Sequence, residues 1–122
     1  MRALLALAVV ATSAQAGDIE RGRALVADRT QSLCLLCHAL TAAGDPNQGN
    51  LAPPLSAAAR LTPAELRERI ADMRRFNPAT VMPPFRSTEG LRDVAPAWQG
   101  RAALTEQQLD DLVAYLGTLG RP

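Results

Sequence analysis

Cys34-Leu35-Leu36-Cys37-His38 is a C-x-x-C-H run, the covalent haem-attachment pattern, and it decides how the rest of the chain is read. Thiols at positions i and i+3 of a helical turn lie on one face. There they reach the two vinyl groups of one haem and can form thioethers. The histidine directly after the second thiol is then held beneath the iron as its proximal ligand. The chain of 122 residues has two cysteines and one histidine, all within this run. A simple metal site would find only three close ligands, and the adjacent Cys37 and His38 would diverge on a helix. A thiol redox module calls for a βαβ context, and no strand alternation is present.

The opposite side of the iron needs a second ligand or stays open. There is no second histidine and no lysine. With both thiols consumed, methionine, an N-terminal amine or water remain. Met82 lies in Val81-Met82-Pro83-Pro84, where two prolines stiffen an extended segment suited to presenting a thioether. Met73 falls on an apolar helical stripe, the usual place for a methionine that fills a core. Met82 is the expected ligand, with Met73 and water as alternatives. Met/His ligation raises the reduction potential and closes the iron to small ligands, which suits electron transfer. A ligating histidine donates its other ring N–H to an acceptor that orients it. Pro53, in Ala52-Pro53-Pro54-Leu55, is the candidate carbonyl; the plainer alternative is a proline that only stiffens a loop.

Three helices surround this centre. The first spans about Asp18 to Asp28, with Asp18 as N-cap and Ile19, Leu25 and Val26 apolar. Gly22 in its middle serves close backbone packing or is simply tolerated. The second opens on Thr62-Pro63-Ala64-Glu65, a capping box with proline at the first helical position. Leu66, Ile70 and Met73 form its stripe, and Pro78 stops it near Phe76. The third opens on a second capping box at Thr105, buries Leu109, Leu112, Val113 and Leu116, and ends at Gly117 and Gly120. Loops at 44–54 and 77–98 separate them. A loop as long as the second has a function or wraps something. Trp98 is expected in the core, the alternative being a place beside the haem or in a partner interface. Arg74 and Arg75 either pair with haem propionates or are solvated at a helix end.

Residues 1–16 have the pattern of an export signal: Arg2, an apolar run from Ala3 to Ala11, and Ala14-Gln15-Ala16 as cleavage site. The apolar run is too short to span a bilayer. Residues 17–122 then form one domain, with no membrane span after cleavage after Ala16. Export to the periplasm agrees with haem attachment outside the bacterial cytoplasm. The 13 basic residues are all arginine against 12 acids. Loss of Arg2 brings the net charge to about zero, so nothing marks a nucleic-acid partner. A domain this small buries a limited core on its own. The haem is expected to supply the missing apolar mass, leaving the apoprotein poorly folded.

Several stretches resemble the SoxX family, the small cytochrome subunit of the SoxAX complex of sulfur-oxidising bacteria. They are the haem run at 34–38, Gln48-Gly49-Asn50-Leu51-Ala52-Pro53, the segment from Arg74-Arg75-Phe76-Asn77-Pro78 through Thr80-Val81-Met82-Pro83-Pro84, Val94-Ala95-Pro96-Ala97-Trp98, and Asp111-Leu112-Val113-Ala114-Tyr115-Leu116. Ala52 stands where the Gly-Pro-x-Leu segment of monohaem cytochromes has glycine, and Phe85-Arg86 replaces the family's longer tyrosine-containing form. The resemblance implies an all-α, class I cytochrome c-like fold: three main helices and long loops around one covalent haem c. It also implies a heterodimer with a SoxA-like cytochrome subunit, a sulfur-carrier protein reached through that complex, and a small soluble cytochrome as electron acceptor. In that family thiosulfate is joined oxidatively to a carrier-protein cysteine (L-cysteine S-thiosulfotransferase), and the reacting thiol belongs to SoxA. This chain agrees: with Cys34 and Cys37 as thioethers, it has no nucleophile–base pair. It can relay electrons, while sulfur transfer needs another chain. The alternative is a free-standing periplasmic monohaem carrier.

Overall fold

The computed structural model describes residues 16–120, so the expected export signal, apart from Ala16, lies outside the described residues. Helices α1 (Ile19–Ala27), α2 (Cys34–Cys37), α3 (Pro63–Ala71) and α4 (Glu106–Leu116) are joined by loops and by 3₁₀ turns at Leu55–Arg60, Met73–Arg75 and Pro96–Trp98. Among the described residues there is no β-strand.

Each longer helix starts where its cap dictates. The Asp18 carboxylate accepts from the Arg21 amide at 2.7 Å. Thr62 and Glu65 form the capping box of α3: Thr62 Oγ1 accepts from the Glu65 amide at 3.2 Å, and Glu65 accepts from the Thr62 amide at 2.8 Å. Thr105 and Gln108 repeat the arrangement for α4 at 3.1 and 2.8 Å.

Helix α1 packs on α4 through Gly22. A β-carbon there would stand 2.0 Å from the Asp111 carbonyl oxygen and 2.7 Å from Tyr115 Cβ, so close packing, not mere tolerance, explains the glycine. The same crossing holds Asp111, one of two buried polar residues among the described residues. Its carboxylate accepts from the Asp18 amide (2.8 Å), from Arg21 Nε and Nη2 (2.8 and 2.9 Å) and from Gln107 (3.0 Å). These bonds, led by Arg21, hold the Asp111 pKa below its ordinary value against the opposing effect of burial. Leu25, Val26, Leu66, Ile70, Leu109 and Leu112 meet Phe85, Leu104, Tyr115 and Leu116 in one core.

Four expectations need correction. Helix α3 ends at Ala71, not near Phe76. Asp72 turns extended (φ −160°, ψ 94°), and its carboxylate accepts from the Arg74 amide, opening the 3₁₀ turn Met73–Arg75 instead. Met73 therefore lies beyond the helix, half-buried. Arg74 is neither solvated nor free for a propionate: it grips Asp72 at 2.8 and 2.7 Å and the Glu89 carbonyl at 2.8 Å. Trp98 is not in the core. It is 48% exposed on the Pro96–Trp98 turn, with the Arg101 guanidinium 5.0 Å from its ring centre. On α4, Val113 is only half-buried, and Tyr115 is buried instead.

Candidate haem site

Helix α2 is one turn long and owes its position to what precedes it. Asp28 accepts from the amide and hydroxyl of Thr30 and from Gln31, folding the chain out of α1. Leu33 then adopts a left-handed conformation, φ 59°, and Cys34 begins the helix. Leu35 is buried in the core, which fixes the helix's rotation. Cys34 and Cys37 are both unpaired, half-buried thiols three positions apart. Burial pushes the Cys34 pKa up, the opposite of what activates a redox thiolate. Among the described residues no group of three His, Cys, Asp or Glu side chains is arranged to hold a metal ion.

The segment 48–56 is laced under this turn. Gly49 donates to the Leu35 carbonyl at 2.9 Å, Leu51 and Ala52 both donate to the Cys37 carbonyl at 3.0 Å, and Leu55 donates to Ala39 at 2.8 Å. Gln48 accepts from the Leu40 amide at 2.7 Å. This lacing brings Pro53 O within 2.5 Å of His38 Nδ1. A carbonyl has no hydrogen to give, so Nδ1 carries the proton and Nε2 keeps its lone pair free. Alanine at position 52 leaves that contact in place. Gly49 is the residue that sequence reasoning did not single out. A β-carbon there would fall 2.3 Å from the Leu36 carbonyl oxygen and 2.6 Å from Cys37 Cα. Its only sequence signal was its place in the stretch Gln48 to Pro53.

Met82 arrives on a separately braced segment. The Asn77 side chain accepts from the Ala79 amide (3.1 Å), Thr80 donates to the Asn77 carbonyl (3.0 Å), and Met82 donates to Thr80 Oγ1 (3.1 Å). After the two prolines Phe85 is buried, and Arg86 donates to the Ala71 carbonyl at 3.0 Å. Met82 is half-buried against the core, as Cys34 is, whereas Met73 is not among the residues packed there.

A family model for cytochrome c matches residues 19–120. The chain belongs to the cytochrome c family. It also matches a chain of the solved structure "Crystal structure of SoxXA from P. pantotrophus", at 31% identity and a TM-score of 0.76, over 95% of this chain and 90% of that one. No curated protein matches the sequence. The chain is a SoxX-like electron-transfer cytochrome whose cofactor is covalent haem c. No helix among the described residues is long and apolar enough to cross a membrane.

The donor set fits that cofactor: two unpaired thiols on one helical face, and an imidazole whose Nδ1 is engaged so that Nε2 is available. Large apolar side chains beside these donors are exposed, with Leu36 at 52%, Leu51 at 80% and Val81 at 89%.

Proposed function

We propose that this cytochrome relays single electrons within a periplasmic SoxAX-type complex, and that Cys34 and Cys37 would hold its haem as thioethers while His38 and Met82 would serve as ligands to the iron. The bound haem supplies a reversible one-electron couple. The protein's part is positional. Pro53 O fixes the His38 ring through Nδ1. The Asn77–Thr80 turn and buried Phe85 brace Met82, whose thioether would keep water from the iron and raise the potential. The single observation carrying the complex is the match to a SoxXA chain along nearly the full length of both.

In this reading residues 1–16 direct export, a SoxA-like haem subunit binds this chain, and thiosulfate is joined to a carrier-protein cysteine on that partner. Two electrons released there pass singly through this haem to a small soluble cytochrome. The chain itself offers no free thiol or nucleophile–base pair once the thioethers form. The test is coexpression of the full chain with a SoxA-like subunit under conditions that attach haem c. A stable heterodimer is expected, with this chain's haem reduced when thiosulfate and carrier protein are added and not when either is omitted. A chain that elutes alone and exchanges electrons equally with unrelated reductases would instead be a free-standing carrier.

A further inference from the structure

The segment that presents Met82 is tied to the helices at its far end. Pro83 and Pro84 follow Met82 and lock φ at both positions, so the run from Met82 to Phe85 moves as a stiff unit. Phe85 is buried, and backbone bonds hold the exit: Leu104 donates to the Phe85 carbonyl at 3.1 Å, and the Arg86 amide donates to the Ala71 carbonyl at 3.0 Å. The Arg86 guanidinium then spreads over the start of α4. Its Nη1 donates to the Leu104 carbonyl at 2.5 Å, Nε donates to Glu106 Oε1 at 2.9 Å, and Nη2 lies 2.7 Å from the same oxygen. The other Glu106 oxygen accepts from Arg67 on α3. One carboxylate in the first turn of α4 thus joins α3 and the end of the Met82 segment.

No other side chain between Asn77 and Ser87 hydrogen-bonds to a helix. Asn77 and Thr80 bond only within their own turn, and Val81, just before Met82, is 89% exposed. Glu106 is exposed as well, so the ion pair by itself would contribute little. The strength of the tie comes from the fork: a planar guanidinium reaches a carbonyl and a carboxylate at once, which an ammonium does not. Arg67 has a second acid, Asp110 at 3.4 Å, whereas Arg86 pairs with Glu106 alone among the described residues. Release of Arg86 therefore frees the one polar anchor that the Met82 segment has on the helical core.

We propose that Arg86 is a positioning residue for Met82: locked onto Glu106 and the Leu104 carbonyl, it holds the segment closed and sets how readily Met82 gives way to an external ligand. The proposal rests on Met82 as the iron ligand, and the experiment separates the two. Full-length ferric holoprotein, its covalent loading checked by a pyridine haemochrome spectrum, is titrated with imidazole. Loss of the sulfur-to-iron band reports displacement of Met82. Apparent affinity scales with the fraction of open segment. R86A should bind imidazole roughly tenfold more tightly than wild type, the factor that one hydrogen bond to a charged group is worth. R86K keeps the charge without the fork and should fall between the two. E106Q should also bind more tightly than wild type, and R86A/E106Q no more tightly than R86A, because the two residues act as one tie.

Two controls fix the meaning of these shifts. R23A breaks the exposed Arg23–Glu20 pair on α1 and should bind imidazole as wild type does. M82A opens the position outright and should bind more tightly than any Arg86 variant. An R86A protein that melts at a lower temperature yet keeps wild-type imidazole affinity would make Arg86 a structural tie only and overturn the proposal, as would additive effects of R86A and E106Q. Where R86A loads haem poorly, R86K and E106Q read the same equilibrium. M82A binding no more tightly than wild type would remove Met82 from the iron and the proposal with it. Absence of covalent haem overturns both.

Discussion

Substituting Met82 and Met73 in turn separates the two candidate thioethers. M82A should lose the weak sulfur-to-iron absorption band near the red end of the ferric spectrum and titrate at a lower potential, because Met/His ligation raises it. M73A should keep both, since Met73 lies in the Met73–Arg75 turn and is not packed against the core as Met82 is. A band that survives in M82A would remove Met82 from the iron. Gly49 makes the other residue-scale prediction. The β-carbon of G49A would meet backbone atoms of Leu36 and Cys37 that have no rotamer to yield. The haem-binding turn and the Pro53 segment must separate, at a cost of about 1–3 kcal/mol of overpacking. Covalent haem yield should drop, and the loaded fraction should melt at a lower temperature. An unchanged melt would mean that the two segments have room the backbone does not show.

At the α1–α4 crossing, charge and steric fit do the same job. D111A leaves the Asp18 amide, Arg21 and Gln107 without their shared acceptor. Arg21 is half-exposed and water rescues part of the loss, so about 2 kcal/mol is expected in denaturant unfolding. Arg21 holds the folded pKa of Asp111 below its unfolded value. Its contribution is therefore complete above the ordinary carboxylate pKa of about 3.9 and is lost as the pH falls below that toward the depressed folded value. D111N should show a shallower loss of stability on acidification than wild type; parallel acid curves would assign that loss to other carboxylates. The helices themselves were legible in sequence because caps act locally: Asp18, Thr62 with Glu65, and Thr105 with Gln108 all start helices where their side chains reach the first amides. The haem run and the Pro53 carbonyl that meets His38 were legible for a similar reason, since each is a short motif with fixed chemistry. What could not be read depended on which side chains turn back onto their neighbours and on which distant segments pack together. Asp72 ends α3 early because Arg74 returns to its carboxylate. Trp98 stays outside because Arg101 covers its ring. Gly22 and Gly49 look like ordinary glycines until α4 and α2 are set against them.

For the molecule as a whole, the question is how much of the fold the polypeptide sustains alone. The core consists mainly of leucines on α1, α3 and α4, joined by Phe85 and Tyr115. That mass ties the three longer helices together. It reaches the other half of the chain mainly through Leu35, Leu55, Phe85 and Leu104, while Leu51 and Val81 are largely exposed and the backbone from 77 to 95 has no helix. A domain of this size is marginal on its own side chains, and the ordering of long loops opposes folding at about 1–2 kcal/mol per residue of backbone entropy. The covalent haem, bound at Cys34 and Cys37 and ligated from the Met82 loop, would join the two halves into one cooperative unit. C34S/C37S, which cannot form thioethers, should therefore lose the sharp thermal transition of the holoprotein and much of its helical circular dichroism, with the α1–α4 region the last to exchange its amides. A haem-free double variant that kept native helix content and melted as sharply as wild type would show that the leucine core suffices and that the cofactor fills a fold already complete.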